Sequence, residues 1–224
     1  MRLGVVIVAG GTGIRMGEGI PKQYRDVAGK AVILHTLERF LEFDPGISIV
    51  VVLAPGHSAY WEKIAMSLSK GITLASGGRT RYDSVKNGLH QMDPGVDIIG
   101  IHDAVRPLVS METLKRCYAS ASETGSAIPV TEMDETVRIL KTGGHSEHLD
   151  RSLLRRVQTP QVFRGELIRK AYLLPFHASF TDDASVYESH YGEVHLVEGN
   201  PENIKITTPA DLLLAGLLLE RLPS

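Results

Sequence analysis

Residues 8–17, VAGGTGIRMG, directly follow an apolar run and place Gly10, Gly11 and Gly13 within four positions. Glycines so spaced give a backbone that can adopt positive φ, approach a ligand closely and turn several amide N–H groups toward an anion. Arg15 lies just beyond the loop, and Lys22 follows Pro21 in PKQY. A guanidinium is a planar fork suited to bridging phosphate oxygens, and an ammonium is a compact charge on a flexible stem. Two such cations flanking a nest of amides fit a triphosphate. Two other nucleotide loops are disfavoured. A dinucleotide turn wants a third glycine where Met16 stands and an acid after the next strand, but that run ends VVLAPG. A Walker loop needs Gly-Lys-Ser/Thr, which is absent.

Two further groups of residues fall where the same ligand could meet them. ASGGRTRYDSV sets Gly77 and Gly78 after a short apolar run and Ser84 near the start of the next helix, so backbone and hydroxyl can reach a planar base. IHDAVRP ends another apolar run with Asp103 and Arg106. An acid leaving a buried strand can bind Mg²⁺ through oxygen, directly or through water, or accept from a hydroxyl. His102 reads as structural, because no second His or Cys stands at metal spacing.

The elements that must position these residues follow from periodicity. Residues 3–8, 47–53, 72–75 and 98–101 are short runs rich in apolar and β-branched residues, most of them near-continuous, as in strands covered on both faces. Helix-period segments separate them. Val32, Ile33, Leu37, Phe40 and Leu41 share one face; Ser58 can cap a helix carrying Trp61; Ser110 can cap one that stops at Gly125. Near the end, Thr208 is a cap, with Pro209 as first helical residue and Asp211 three beyond. Alternating strands and helices predict an α/β fold, a mostly parallel twisted sheet with helices on both faces, read as one domain over 1–224. Ligands of such sheets lie beyond the carboxyl ends of the strands, where the glycine-rich loop falls.

One stretch departs from the alternation. Residues 134–151, DETVRILKTGGHSEHLDR, read as a β-hairpin turning at Thr142, Gly143 and Gly144. With little apolar content, it needs a support, which is either its own domain or a second subunit. The 24 Lys and Arg balance 26 Asp and Glu for a net charge of −2, which argues against a nucleic-acid partner held by bulk charge. The single cysteine, Cys117, forbids an intrachain disulfide and suits a reducing cytoplasm. The first apolar run is too short to span a membrane and lacks a signal-peptide ending, so a cytosolic protein is expected.

Taken in order, AGGTGIRMG with PKQY, GGRTRYDSV, HDAVRP, DETV, LDRSLLRRVQTPQVF, TDDASV and VEGNPENIKITTPADL resemble the 2-C-methyl-D-erythritol 4-phosphate cytidylyltransferases of the non-mevalonate isoprenoid pathway. The resemblance spans nearly the whole chain. It implies a homodimer of nucleotidyltransferase subunits that joins CTP and the polyol phosphate with Mg²⁺ and releases pyrophosphate. By position, it makes Ala9, Gly10, Gly11 and Gly13 the CTP loop, with Arg15 and Lys22 on the triphosphate. Gly78, Ser84 and Ala104 would contact cytosine or ribose, and Lys205 would join the cations around the reacting phosphate. Asp103, Arg106, Thr136, Arg151 and Thr159 would frame the polyol phosphate, Thr136 and Arg151 coming from the other subunit's arm. Asp103 is also the candidate Mg²⁺ ligand, the ion being held mainly by phosphates.

The chain departs from the family pattern at Gly10 and Val105, where alanine is common, and at Arg79, where some relatives carry an acid. Ribitol 5-phosphate cytidylyltransferases resemble AGG, HDAVRP and NIK with TTP as well, but LDRSLLRRVQTPQ and TDDASV favour the isoprenoid enzyme. A non-catalytic nucleotide-binding module would have less need to keep Arg15, Lys22, Asp103 and Lys205 together. A phosphate monoester is already an anion at neutral pH, so the implied reaction needs charge stabilisation rather than a general base.

Overall fold

The computed structural model describes residues 1–10, 19–65, 68 and 71–221. Its strands are β1 (Leu3–Ala9), β2 (Asp26–Val27), β3 (Lys30–Ala31), β4 (Ser48–Leu53), β5 (Thr73–Ser76), β6 (Ile98–Asp103), β7 (Ser126–Glu132), β8 (Val137–Leu140), β9 (Ser146–Leu149), β10 (Arg155–Val157), β11 (Gln161–Arg164) and β12 (Leu196–Glu198). Its helices are α1 (Val32–Phe43), α2 (Ser58–Ala65), α3 (Arg81–Gln91), α4 (Met111–Thr124), α5 (Gly165–Ala171), α6 (Asp183–Tyr191) and α7 (Pro209–Leu219).

The core of the sheet is parallel. β5 pairs with β4, β4 with β1 and β1 with β6, all in the same direction. Beyond β6 the direction reverses: β11 runs antiparallel to both β6 and β7. β7 also takes β10 antiparallel and β12 parallel. The expected α/β sheet is therefore present, with a mixed end that the residue pattern did not announce.

Alternation along β1 explains why its run is apolar throughout. Val5 and Ile7 pack with Ile33, Leu37 and Phe40 of α1 and Leu114, Cys117 and Tyr118 of α4 on one face. Val6 faces the other side, against Val85 and Leu89 of α3 and Ile168 and Ala171 of α5. Each such side chain contributes about 1.5–3 kcal/mol by leaving water. Helix ends follow their capping chemistry: Ser110 accepts from the Thr113 N–H, Gly125 closes α4 at φ 97°, and Thr208 forms a capping box with Asp211. Ser58 is the first residue of α2 rather than its cap.

β8 and β9 pair only with each other among the described strands, joined through Gly143 and Gly144 at φ 80°. This hairpin stands apart from the main sheet, with Leu140 82% exposed near its tip.

Candidate active site

The carboxyl ends of the parallel strands meet at one edge. Val8 of β1 lies in register with Asp103 of β6, Ala9 with Leu53 of β4, and Leu53 with Ser76 of β5. The described residues that leave these strands are consequently neighbours. The Ala104 N–H donates to the Val8 carbonyl at 3.1 Å and the Gly77 N–H to the Leu53 carbonyl at 2.7 Å. A methyl placed on Gly10 would lie 3.4 Å from the Ser84 hydroxyl. Gly10 and the turn before α3 thus share one wall. Gly11, Gly13 and Arg15 lie outside the described residues.

Gly78 is required by geometry, because a Cβ there would come within 2.2 Å of the Asp83 Cβ. Its N–H donates to the Ser84 hydroxyl at 3.0 Å, and that hydroxyl donates to the Thr80 carbonyl at 2.9 Å. Ser84 therefore shapes the loop that carries Gly78. Ala104 is buried, its carbonyl accepting from the Thr36 hydroxyl at 3.0 Å.

Asp103 is the centre of the charged part of the site. Its Oδ2 meets Lys205 Nζ at 3.0 Å and Arg106 Nε at 3.3 Å, while Oδ1 faces Arg81 Nε at 4.0 Å. Burial alone would raise this carboxyl; Arg81, Lys205 and Arg106 hold it well below the usual carboxylate range. Arg106 also donates from Nη1 to the Asn203 carbonyl at 2.7 Å, and the Ile206 N–H bonds the Val105 carbonyl at 2.9 Å. These bonds lay residues 203–206 along the turn after β6 and so place Lys205. Lys22 Nζ reaches the Ile206 carbonyl at 3.0 Å, which brings Lys22 to the same segment.

A chain of neutral hydrogen bonds supports Asp103 from behind. The Asp103 N–H donates to the Thr159 hydroxyl at 3.1 Å, and Thr159 Oγ1 lies 3.1 Å from His102 Nδ1. His102 Nε2 lies 3.0 Å from the Arg106 carbonyl, so Nε2 carries the ring proton and Nδ1 accepts from Thr159. Burial pushes His102 down to about 4. The Thr159 hydroxyl is thus committed to the turn that holds Asp103.

Sequence reasoning missed Arg81 and Asp183. The Arg81 fork binds the fully buried Asp183 carboxylate through Nη1 at 2.8 Å and Nη2 at 2.7 Å. The guanidinium is pulled down by burial, but Asp183 and Asp103 outweigh that and raise it. Thr136 and Arg151 lie on the exposed arm, where Arg151 donates to the Asp134 carbonyl.

Asp103 does not suit a resident Mg²⁺. Three cations already address its two oxygens, and a dication would have to displace them. Among the described residues no group of three or more His, Cys, Asp or Glu stands together to hold a metal. Nor is any described helix long and apolar enough to cross a membrane.

The chain matches the family described as IspD, 2-C-methyl-D-erythritol 4-phosphate cytidylyltransferase, over residues 3–221. It is 46% identical over 222 residues to the protein of that name from Bacteroides thetaiotaomicron, covering 98% of this chain and all of the relative. The namesake from Bacteroides fragilis is 47% identical over 216 residues, covering 96% of this chain and 98% of the relative. The crystal structure of 4-diphosphocytidyl-2C-methyl-D-erythritol synthase from Anaerococcus prevotii is similar at TM-score 0.84 and 27% identity, covering 98% and 99% of the two chains.

Proposed function

We propose a reaction, and a place for it, from one premise: this chain belongs to the 2-C-methyl-D-erythritol 4-phosphate cytidylyltransferase family. It joins CTP and 2-C-methyl-D-erythritol 4-phosphate into 4-diphosphocytidyl-2-C-methyl-D-erythritol and pyrophosphate. A phosphate oxygen of the polyol attacks the α-phosphorus of CTP in line. The new O–Pα bond forms as the bond from Pα to the bridging oxygen breaks, and the electron pair leaves with pyrophosphate. The observation that carries the placement is the buried Asp103 holding Lys205 and Arg106 at the carboxyl edge, in register with Val8, two residues before Gly10.

Bringing an anion against a polyanion is the difficulty, and charge fixed in advance is the remedy. Around Asp103, the cations Arg81, Arg106 and Lys205 face the carboxylates Asp103 and Asp183. One positive charge remains in excess, and Lys22 adds another nearby. Lys205, whose side chain is 41% exposed, is the cation of this group best able to leave Asp103 for an arriving phosphate. Arg15 joins Lys22 on the triphosphate, and Ala9, Gly10, Gly11, Gly13, Gly78, Ser84 and Ala104 hold the nucleotide. Any Mg²⁺ would be carried by the triphosphate, where it would offset phosphate charge, because Asp103 is already engaged by three cations.

The arm completes the site of a second copy, supplying Thr136 and Arg151. In support, its two strands bond only each other among the described strands, and an isolated hairpin is marginal in water. The free, buried thiol of Cys117 fits a reducing cytoplasm.

A pyrophosphate-release panel crossing the four nucleoside triphosphates with methylerythritol 4-phosphate and ribitol 5-phosphate tests the reaction. Release with CTP and methylerythritol phosphate alone is expected. Release with ribitol phosphate in preference, or with neither acceptor, overturns it.

A further inference from the structure

We infer that Asp183 is a positioning residue for this reaction: by taking both outer nitrogens of Arg81, it holds that guanidinium beside Asp103 without letting it capture the carboxylate. Arg81 is the first residue of α3 and Asp183 the first of α6, so the pair ties together two helices that flank the site. The fork is spent on Asp183 at 2.8 Å and 2.7 Å, and only Nε is left toward Asp103, at 4.0 Å. That distance is too long for a hydrogen bond yet close enough to favour the ionised carboxylate.

Asp183 is itself locked. Tyr172 Oη donates to its Oδ1 at 2.6 Å, and the Tyr172 ring stacks on Tyr82 with centroids 4.8 Å apart. Gln161 of β11 fixes the start of α6 from both ends of its amide, donating to Asp182 at 2.8 Å and accepting from the Ala184 N–H at 2.8 Å. Gln161 lies in register with Ile101 of β6, two residues before Asp103. The carboxylate that steers Arg81 is therefore referenced to the strand next to the one that carries Asp103. An ion pair with one partner fully buried and the other largely so adds little net stability over apolar residues of the same shape, so geometry is what this pair supplies.

Without the Asp183 charge, Asp103 Oδ1 is the nearest acidic acceptor for Arg81. Once turned onto it, the guanidinium competes with Lys205 and Arg106 for the same carboxylate. The polyol-phosphate side of the site is disturbed, while the nucleotide wall at Gly10, Gly78 and Ser84 keeps its own bonds. This inference rests on the assignment of the Asp103 cluster to the polyol phosphate.

The test compares wild type, Asp183→Asn, Arg81→Lys and the double variant Asp183→Asn/Arg81→Gln, each shown to be folded by a thermal melt, with CTP and methylerythritol 4-phosphate varied separately. Asp183→Asn is expected to raise KM for the polyol phosphate at least tenfold and to leave KM for CTP within about twofold. Arg81→Lys, which cannot make the fork, shows the same split and serves alone if Asp183→Asn does not fold. The double variant, with no guanidinium to stray, has a lower polyol KM than Asp183→Asn but stays above wild type, because Arg81 no longer stands beside Asp103. Unchanged kinetics, equal shifts in both KM values, or a double variant no better than Asp183→Asn overturns the role of Asp183. An inactive wild type overturns the assignment of the site instead.

Discussion

Lowering the pH should weaken the fold through His102. The ring is fully buried, donates from Nε2 to the Arg106 carbonyl and accepts at Nδ1 from Thr159. Burial takes it from 6.5 to about 4. Between those values the unfolded chain binds a proton that the folded chain refuses, so stability falls as pH falls from 6.5 to 4. A difference of that size at a fully buried group amounts to about 3 kcal/mol, or roughly 6–12 °C in Tm for a chain of this length. Asp103 acts lower. Its folded value is depressed from 3.8, so the stability it brings is intact above that value and is lost only as pH falls further. His57 is also shifted down by burial, but it is common to both proteins compared and cancels in their difference. The assay is urea unfolding of wild type and His102→Gln at half-unit steps across the window, Gln keeping a donor for the Arg106 carbonyl. The wild-type minus variant stability should drop by about 3 kcal/mol from neutrality to the acid end. A flat difference would refute a neutral, buried His102.

Three further outcomes follow from the site. Lys205→Ala and Lys22→Ala should each lower turnover about a hundredfold or more, the scale for losing a preorganised charge donor; stopped assays on variants with wild-type melts check this, and normal turnover removes the residue from the mechanism. Gly78→Ala forces a methyl to 2.2 Å from the Asp83 Cβ and must shift the Thr80 capping box, costing about 1–3 kcal/mol; denaturant melts should show that loss together with a raised KM for CTP. Arg151→Ala and Lys22→Ala subunits, each inactive alone, should regain activity when mixed and reannealed if the arm serves its partner; a mixture as inactive as its parents rules out a shared site.

The parallel half of the sheet was legible because burial on both faces writes itself as unbroken β-branched runs, as in Val5, Val6 and Ile7. The antiparallel end was not. β10, β11 and β12 are three or four residues long, and β7 carries Pro129 in mid-strand, which reads as a break. In the site, Asp103 and Arg106 are three apart on one turn, so their pairing follows from local spacing. Ser84 was legible as a hydroxyl near the edge, and its partner, the Gly78 N–H, is only six positions away; Thr159 entered through the resemblance alone, and its partner His102, 57 positions away, is set by tertiary packing. Arg81 and Asp183 are 102 positions apart, and no spacing rule reaches that far. The one cue was Thr80 with Asp83, a capping box that fixes where α3 begins and hence where Arg81 emerges.

The charges around Asp103 also constrain what kind of chemistry this edge can do. Asp103 is kept ionised by three cations, and removing a proton from a substrate would require it to give up that company. His102, the titratable ring closest to it along the chain, stays neutral near pH 7 and has both nitrogens engaged with Thr159 and the Arg106 carbonyl. Neither group is poised near neutrality to act as a general base. His102 and Asp103 therefore supply no proton acceptor here, and the positive potential around Asp103 suits a nucleophile that arrives already charged. A phosphate monoester attacking a nucleotide α-phosphate is such a nucleophile.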